Sequence, residues 1–408
     1  MGMSDASDGT GVSFELDQET RLIVDNLEQF IEQEVESIQE ELGETYHNPR
    51  LRHERDGRLV PEVIEAIEEI RKRSADAGYY AMNLPEDVGG GGVSNVTWYE
   101  AKKAVAASGV PMAEHALAGP EGPKPLLMLA EGDQVEEYLE PAIRAEKSTA
   151  FAQTEPGVGS DSPNMSMTAE KDGDEWILDG TKQWITNGPY ADFVQVFART
   201  TPQEEVGRYG GITCFIVEAD EYEVSSLNNA VGLEGMQAEL VFTDVRIPEN
   251  RVLGQVDGAF YQAMDFLSLG RLELGAEAIG YAEHMLEKGA EYAGDREAFG
   301  RPIGKFQQIS SKLAEGRAKT YAADAAGLRC AWKMDQGKSV IEDASILKYY
   351  GTNVFWDVVD DVVQIHGGNG LSEENPFMRH LHLARILRIV EGTDEIQLNT
   401  IAKEFTGI

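Results

Sequence analysis

The first part of the chain has the apolar spacing of α-helices. Between about residues 14 and 145, apolar side chains recur every three or four positions, which is the repeat of one helix face. One such stripe consists of Leu22, Ile23, Leu27, Phe30, Ile31 and Val35. A second helix is predicted to begin at Pro61, because the fixed φ of proline suits a first helical turn, and to end at Gly78.

The middle part has the alternation of β-strands. Between about residues 148 and 255 the apolar period is two, and aromatic and β-branched residues are frequent. Residues 175–188 are predicted to form a hairpin that turns at Asp179-Gly180, because this pair accepts the positive φ angles of a tight loop. Further strands are predicted at 192–200, 211–219 and 239–248. Such a succession of short strands predicts a small β-barrel or sandwich.

Helical spacing returns in the last part of the chain. Long segments with apolar stripes lie at 259–286, 305–328 and 345–367, and a short helix is predicted after Glu391. Helices of this length joined by short connections form antiparallel bundles, so a four-helix bundle is expected here.

The order helical, β, helical predicts a multidomain α+β fold. At 408 residues the chain is long enough for each of three domains to bury its own core. The predicted domains are an N-terminal all-α domain at 1–147, a middle β domain at 148–255 and a C-terminal α-helical bundle domain at 256–408.

The chain is strongly acidic. Asp and Glu number 72 against 35 Lys and Arg, which gives a formal net charge of −37 at pH 7. A field of this sign repels nucleic acid and anionic membrane surfaces, so neither is expected as a partner. Most of the acidic residues flank apolar stripes, as solvated helix faces do. Spread over the whole chain, this charge is typical of a halophilic protein, because salt screens the self-repulsion.

Neither a membrane segment nor a metal site is predicted. No apolar run approaches the roughly 18–20 residues of a membrane span, and the N-terminal segment lacks the pattern of a signal peptide, so a cytoplasmic protein is expected. Cys214 and Cys330 have no CxxC partner and are expected to be buried and reduced. His380 and His382 do not share a helix face, so they are not expected to bind a metal.

Two segments of the middle part carry candidate ligand-binding chemistry. In residues 151–161 a proline and two glycines predict a tight loop. Its backbone N–H groups, with the hydroxyls of Thr154 and Ser160, can bind an anion or the polar edge of a flat ring. Trp184 and Thr186 are two apart on a predicted strand and share one face, so the indole can stack while the hydroxyl bonds. Taken alone, the first segment is more simply an ordinary Gly/Pro turn, and the second is an ordinary strand.

Three segments of the last part carry further candidates. Arg296 and Phe299 would share one face if their segment is helical. The segment 364–370 ends a predicted helix with glycines that permit close approach of the backbone. Before the last helix, Glu391 and Gly392 offer a carboxylate and a backbone N–H at one place, which suits removal of a proton next to a polarised carbonyl.

Glu391 also has a purely structural interpretation. Thr393 or Asp394 is a suitable N-cap for the last helix, and Gln397 follows Asp394 at capping-box spacing. Gly392 would then be a turn residue, and Glu391 only a solvated carboxylate before a helix.

Six segments, taken together and in order, resemble the acyl-CoA dehydrogenase family. They are 151–161, 182–188, 244–254, 296–307, 364–370 and 390–397. With the glycine-rich loop at 84–92 and the helical, β, helical order, the resemblance extends over nearly the whole chain. It implies an enzyme that uses FAD as cofactor and an acyl-CoA thioester as substrate.

The resemblance also assigns contacts to individual positions. Contacts with FAD are implied for Phe151, Thr154, Ser160, Trp184, Thr186, Thr393 and Glu395. The last two belong, with Asp394, to the segment that follows the base. Contacts with the FAD of a neighbouring subunit are implied for Arg296, Phe306, Gln307, Gln364, Gly367 and Gly368. Contacts with the acyl-CoA are implied for Ser160, Arg271 and Gly392, and Glu391 matches the catalytic base.

The reaction implied by the family is α,β-dehydrogenation to the trans-2-enoyl-CoA. The base takes the α-proton, flavin N5 accepts the β-hydride, and a backbone N–H and a flavin ribityl hydroxyl polarise the thioester carbonyl. Some members place the base one residue before the arginine of the first long C-terminal helix. That position is Gly270 here, which leaves Glu391 as the candidate. Val390 replaces a common aromatic residue, and His382-Leu383 replaces a common Arg-Asp pair, so the acyl group is left open.

The expected protein is therefore an acyl-CoA dehydrogenase of the kind used in fatty acid β-oxidation. The resemblance implies an electron-transferring flavoprotein as electron acceptor and a homotetramer built as a dimer of dimers. Two alternatives exist on the same fold. One is an acyl-CoA oxidase or flavin monooxygenase that reduces O₂, and the other is a flavin- or acyl-CoA-binding homologue without turnover.

The acidic surface yields a first prediction. Lowering KCl from molar concentration to about 0.01 M lengthens the Debye length from about 3 to about 30 Å, so like charges repel over much longer distances. We expect the unfolding temperature and the activity to fall together in such a titration. Equal stability and activity at both salt concentrations would contradict salt adaptation.

Overall fold

The computed structural model describes residues 15–123 and 125–407. The N-terminal part of the described chain is helical. Its helices are α1 (Gln18–Phe30), α2 (Glu36–Leu42), α3 (Glu44–His47), α4 (Pro49–Arg52), α5 (Pro61–Asp76), α6 (Asn95–Ala107) and α7 (Glu140–Ile143). A π-helical turn at Ile31–Val35 joins α1 to α2. The predicted helix at Pro61 is confirmed, and it ends shortly before Gly78, whose φ is +84°.

The middle part forms one eight-stranded sheet. Its strands are β1 (Thr149–Ala152), β2 (Thr168–Asp172), β3 (Glu175–Thr186), β4 (Phe193–Arg199), β5 (Ile212–Glu218), β6 (Glu223–Leu227), β7 (Gln237–Pro248) and β8 (Val252–Leu253). The short helix α8 (Gln203–Val206) lies between β4 and β5. The order along the sheet is β6-β7-β3-β2-β4-β5-β8, and β1 pairs with β4 in parallel.

The turn predicted at Asp179-Gly180 is wrong. Strand β3 continues through both residues and pairs with β7 on either side of a bulge between Leu178 and Gly180. An ideal Cβ at Gly180 would lie 2.7 Å from the Met167 side chain, so the glycine permits a close approach inside the sheet. The hairpin turn lies instead between β2 and β3, at Gly173, whose φ is +65°.

Strand β4 joins the sheet to the N-terminal helices because both of its faces are buried. Phe193 and Phe197 belong to a core that includes Tyr80 of the helical part. Val194 and Val196 point to the other face and belong to the core within the sheet. The sheet is thereby fixed against the helices through alternate residues of one strand.

The last part of the chain consists of long helices, as predicted. They are α9 (Ala259–Asp295), α10 (Gln307–Asp335), α11 (Ile341–His366), α12 (Phe377–Leu387) and α13 (Asp394–Thr406), with a small hairpin of β9 (Glu297–Ala298) and β10 (Arg301–Pro302) between α9 and α10. Cys330 lies in the shared core of α9, α10 and α11, and burial raises the pKa of its thiol to about 12. Cys214 is also buried and free, as expected. No helix in the two described ranges is long and apolar enough to cross a membrane.

Arg296 and Phe299 do not share a helix face. Helix α9 ends at Asp295, and Arg296 has the extended angles φ −71° and ψ 121°. Phe299 and Gly300 form the turn of the β9–β10 hairpin, with φ of +52° and +79°. The nearby Gly300 and Pro302 both disfavour a helix, and this local effect outweighs the helical spacing of the two side chains.

A buried ion pair fixes the loop that follows β1. Glu155 and Lys182 lie 2.8 Å apart, and their side chains are 1% and 0% exposed. The Glu155 carboxylate also accepts hydrogen bonds from the backbone N–H of Ser166 at 2.6 Å and of Met167 at 3.0 Å. Lys182 donates a further bond to the Gln153 carbonyl at 3.1 Å. The loop is therefore attached to β3 and to the segment before β2.

Both members of the pair have shifted ionisation. Burial lowers the pKa of the Lys182 ammonium to about 8, although Glu155 acts in the opposite direction. Burial alone would raise the pKa of Glu155, but the Lys182 charge and the hydrogen bonds outweigh it, and the pKa is lowered. Each charge is thus tolerated in the interior because the other is present.

Breaking this pair tests how far the loop depends on it. In Glu155→Gln the Lys182 ammonium stays buried without a carboxylate, so we expect the free energy of unfolding in urea to fall by about 3–5 kcal/mol. The double variant Glu155→Gln/Lys182→Met removes the unpaired charge and should recover much of that loss. Glu291→Gln, in the exposed pair with Lys288, is the control and should change stability by less than about 0.5 kcal/mol. Equal effects of Glu155→Gln and Glu291→Gln would contradict the account.

Candidate active site

Glu391 lies in the segment between α12 and α13, where its side chain is exposed. Its backbone has φ +52°, which is unusual for a residue other than glycine. The side chain extends toward α9. An ideal Cβ at Gly270 would lie 3.3 Å from Oε2 of Glu391 and 3.6 Å from its Cδ. The carboxylate therefore occupies the space beside α9 at the position where that helix carries no side chain.

The carbonyl groups of the Glu391–Gly392 turn are bound from inside the protein. Gln397 Nε2 donates to the carbonyl oxygens of both Glu391 and Gly392 at 3.1 Å. Lys348 Nζ donates to the Gly392 carbonyl at 2.7 Å. Gly392 has φ +91°, and an ideal Cβ there would lie 2.7 Å from Gln397 Nε2, so only glycine fits. Within the described residues the N–H of Glu391 makes no hydrogen bond, so it stays available to a ligand.

Helix α11 presents a row of buried polar side chains to this segment. Ser345, Lys348 and Thr352 are all 0% exposed. Ser345 Oγ accepts a hydrogen bond from Arg271 Nη1 of α9 at 3.1 Å. Five residues after Lys348, the half-buried Asn353 donates from Nδ2 to Asp394 Oδ2 at 3.2 Å. Side chains of α11 therefore bond both to α9 and to the start of α13.

The start of α13 decides between the two N-caps considered above. Thr393 is the cap, because its Oγ1 accepts from the Ile396 N–H at 3.4 Å. Asp394 is already helical, and its Oδ2 accepts from Arg388 Nε at 2.8 Å. Gln397 is not used in a capping box, because its amide is bound to the turn before the helix. Asp394, through its bond with Arg388, and Gln397, through the two carbonyls, therefore both help to fix the Glu391 turn.

The buried cations beside Glu391 are strongly affected by their surroundings. Burial lowers the pKa of Lys348 to about 8, against the opposite effect of the Asp394 and Glu391 carboxylates. Burial also lowers the pKa of Arg271, and Glu391 acts in the opposite direction. Both cations interact electrostatically with the Glu391 carboxylate, and Asp394 supplies a further carboxylate close to Lys348.

The candidates in the β domain lie on the loop after β1 and on the end of β3. Gln183 N–H donates to the Thr154 carbonyl at 2.9 Å, which brings the two segments side by side. Trp184 sits in a bulge of β3 with φ +62° and is 49% exposed. Thr186 Oγ1 accepts from Gln237 Nε2 at 3.2 Å. Ile185 between them is buried, and Trp184 and Thr186 are more exposed. The bulge at Trp184 interrupts the alternation on which the prediction of a shared face rests.

The remaining two candidates of this loop differ in exposure. Phe151 is half-buried, with its ring 4.9 Å from that of Phe197. Ser160 is exposed, and the ideal Cβ positions of Gly157 and Gly159 have no heavy atom within 4 Å. The loop therefore has an anchored base and an open tip.

The second group of cofactor candidates lies at the far end of the helical part. Arg296 follows α9, Phe306 caps α10, and Gln307 is its first residue. The other members, Gln364, Gly367 and Gly368, lie at the end of α11. The two ends are adjacent, because Tyr292 of α9 stacks on His366 of α11 with ring centroids 4.2 Å apart.

This far group does not meet Glu391 within one chain. Gly270, which faces Glu391, and Asp295, which ends α9, are separated by 25 residues of continuous helix. At 1.5 Å per residue this is about 38 Å along the axis. One molecule of the chain therefore presents two separate groups of candidate ligand contacts.

The sequence does not single out Lys348, Asn353 or Arg388, and it indicates Gln397 only as a capping-box residue and not as a ligand of the Glu391–Gly392 carbonyls. Lys348 stands among apolar residues in the segment 345–367, and a lysine at a core position of a predicted helix is the signal that could have identified it. The other three carry no local signal of these bonds, because their partners lie on other elements.

Two segments of the chain match known domains. Residues 258–406 match the C-terminal domain of acyl-CoA dehydrogenase, and residues 150–245 match its middle domain.

Similar full-length proteins are known. A 3-(aryl)acrylate reductase of Clostridium sporogenes is 34% identical over 381 residues, which cover 91% of this chain and 94% of the relative. A subunit of the caffeyl-CoA reductase-Etf complex of Acetobacterium woodii is 33% identical, covering 84% of this chain and 93% of the relative. The butyryl-CoA dehydrogenase structure of Megasphaera elsdenii has a TM-score of 0.82 at 30% identity and covers 97% of this chain and 100% of that one. The chain therefore belongs to the acyl-CoA dehydrogenase family, FAD-dependent oxidoreductases that act on CH–CH groups.

Proposed function

We propose that this chain dehydrogenates an acyl-CoA thioester to the trans-2-enoyl-CoA, with Glu391 as the base that removes the α-proton. The observation that carries the proposal is the geometry of the Glu391–Gly392 turn. A carboxylate beside Gly270 and an unbonded backbone N–H are offered by the same residue. A thioester carbonyl on that N–H would bring its α-carbon next to the carboxylate.

The chemistry needs both groups together. The α-proton of a thioester is a weak acid, and its removal leaves negative charge on the carbonyl oxygen. A fixed N–H donor stabilises that charge as it develops, while the carboxylate takes the proton. FAD, when bound, supplies the acceptor for the β-hydride and a ribityl hydroxyl as a second donor to the carbonyl. The chain supplies the base, the orientation of the thioester and the backbone donor.

The loop and strand of the β domain fit a flat ring with a phosphate tail. The half-exposed indole of Trp184 offers a face for stacking. The open backbone at Gly157 and Gly159 can approach the edge of a ring or an anion. We assign Phe151, Thr154, Ser160, Trp184 and Thr186, with Thr393 and Glu395 of the Glu391 segment, to this role.

The far group of contacts supports an oligomer in the proposal. An FAD that reaches both the Glu391 turn and the end of α11 would need these groups from different copies, because Gly270, beside that turn, and Asp295, beside the second group, lie about 38 Å apart along α9. Phe299, 97% exposed at the tip of the β9–β10 hairpin, is an apolar side chain that a second copy would cover. We therefore propose that the active form is an oligomer, a homotetramer by family expectation.

Of the three residues assigned to the acyl-CoA, two can contact it directly and one can act only at a distance. Gly392 adjoins the base, and Ser160 is exposed at the loop tip. Arg271 is only 7% exposed and is bonded to Ser345, so we propose that it acts through its charge and through the packing of α9 on α11. The acyl group itself is left to experiment.

An electron-transferring flavoprotein is the proposed electron acceptor. The relative from Acetobacterium woodii is named as part of a complex with such a protein. Two of the relatives are named reductases, so the direction of net reaction is part of the test. An oxidase or monooxygenase would instead be reoxidised rapidly by air after anaerobic reduction.

Anaerobic titration of the yellow protein with a panel of acyl-CoAs tests the reaction. We expect bleaching of the flavin by at least one of them, slow reoxidation in air and fast reoxidation by an electron-transferring flavoprotein. In Glu391→Gln the amide cannot accept the α-proton, so the rate of bleaching should fall by about 10²- to 10⁴-fold while FAD and acyl-CoA still bind.

A matched variant controls for the loss of surface charge. Glu404→Gln removes an exposed carboxylate from α13, away from the turn, and should bleach at the wild-type rate. Near-normal bleaching in Glu391→Gln would rule out Glu391 as the base. Loss of the yellow colour from the wild-type protein would favour a non-catalytic homologue.

A further inference from the structure

Lys348 is the least expected side chain around the proposed base. It lies in the middle of α11, it is 0% exposed, and Nζ donates to the Gly392 carbonyl at 2.7 Å. A buried ammonium costs several kcal/mol of desolvation unless it is well paired. Yet no carboxylate lies within ion-pair distance among the described residues, and the protein group it binds is a backbone carbonyl of the turn.

The geometry points to Lys348 as a positioning residue for the dehydrogenation, one that holds the Glu391–Gly392 turn in its reactive conformation and polarises it with its charge. This inference rests on the proposed function. In this inference the buried Lys348 side chain fixes the positions of the Glu391 N–H donor and of the Glu391 carboxylate.

The turn to which Lys348 binds has an unusual backbone conformation. Glu391 and Gly392 have φ of +52° and +91°, and a glutamate in this region of backbone space is strained. Such a turn persists when hydrogen bonds fix its carbonyls. Gln397 supplies two of these bonds and Lys348 supplies the charged one.

A charged donor on a carbonyl also changes the neighbouring peptide groups. The Gly392 carbonyl shares its peptide group with the Thr393 N–H and not with the Glu391 N–H, so Lys348 acts on the Glu391 donor by fixing the turn and through the field of its charge. Lys348 stands on the side of the turn opposite to the open site, because its partner is the inward-facing carbonyl. It can therefore act on the reaction without touching the acyl-CoA.

The charged groups around Lys348 come from four parts of the structure. Arg271 belongs to α9, Arg388 follows α12, Glu391 lies in the turn, and Asp394 is the first residue of α13. Burial is the largest influence and brings the pKa of Lys348 down to about 8. The ammonium would thus lose its proton within a pH range in which the enzyme can be assayed.

A loss of rate at high pH can be distinguished from a loss of stability, because deprotonation of Lys348 should lower the rate while the contribution of Lys348 to stability increases. The pKa of Lys348 is lower in the folded protein than the usual value of about 10.4 for an unfolded chain. Between pH 8 and that value the unfolded state binds more protons, so this residue's contribution to stability increases with pH. A fall in rate above pH 8 therefore cannot come from destabilisation by Lys348.

The test compares three proteins by anaerobic stopped-flow reduction of the flavin at saturating acyl-CoA. Lys348→Met has similar volume and no charge. We expect its rate constant to fall about 10- to 100-fold, as for loss of one hydrogen bond from a charged donor, with half-saturation changed less than about threefold. Its unfolding temperature should be equal or higher, because a buried charge is removed. Thr352→Val is the control, since Thr352 is as buried on the same helix but its hydroxyl bonds only to α11 carbonyls.

The pH dependence gives a second readout that needs no variant. In the wild-type protein the rate constant should fall above about pH 8, and Lys348→Arg should retain activity at pH 9–10 because arginine stays charged. A merely structural lysine would give a pH-independent rate in this range and a lower unfolding temperature in Lys348→Met.

The outcomes separate the two proposals. A wild-type protein that is reduced normally, with Lys348→Met equally fast or with a flat rate from pH 7 to 9.5, contradicts the role of Lys348 alone. A wild-type protein that no acyl-CoA reduces contradicts the proposed function, and the role of Lys348 falls with it. If Lys348→Met does not fold, the wild-type pH profile decides.

Discussion

The left-handed turn at Glu391–Gly392 is the constraint on which the proposed site depends. Glycine at 392 is required, since a Cβ would collide with the Gln397 amide. Glutamate at 391 is tolerated because Gln397 and Lys348 fix the carbonyls of the turn. The result is a carboxylate directed toward α9 and an N–H left free beside it. Strain at such a position is commonly found where function needs a fixed geometry.

Two other features place this turn in a larger site. The buried pair Glu155–Lys182 attaches the loop after β1 to β3, so the open glycines and Trp184 have a rigid base. Helix α9 carries Gly270 near one end and the β9–β10 hairpin at the other. The same helix thus borders the proposed site and, in the proposed oligomer, would present the second group of contacts to a neighbouring copy.

The sequence predicted the elements whose signals are local. Pro61 and Gly78 bounded a helix correctly, and the change of period near residues 148 and 255 located the sheet. Asp179-Gly180 misled because the same dipeptide serves a turn and a bulge, and the choice depends on Met167 across the sheet. The helical spacing of Arg296 and Phe299 failed because Gly300 and Pro302 follow. The roles of Lys348 and Gln397 in binding the turn were not predicted, since they depend on how α11 and α13 pack together.

The proposed chemistry depends on the position of the carboxylate beside Gly270 more than on the identity of residue 391. The most direct test moves the carboxylate in the variant Glu391→Gly/Gly270→Glu. Glycine at 391 suits the positive φ, and a side chain at 270 enters the space that Glu391 leaves. The single variant Glu391→Gly should barely bleach its flavin with acyl-CoA under anaerobic conditions. The account predicts that the double variant recovers a large part of the wild-type rate of bleaching. A folded, yellow double variant as slow as the single one would contradict it.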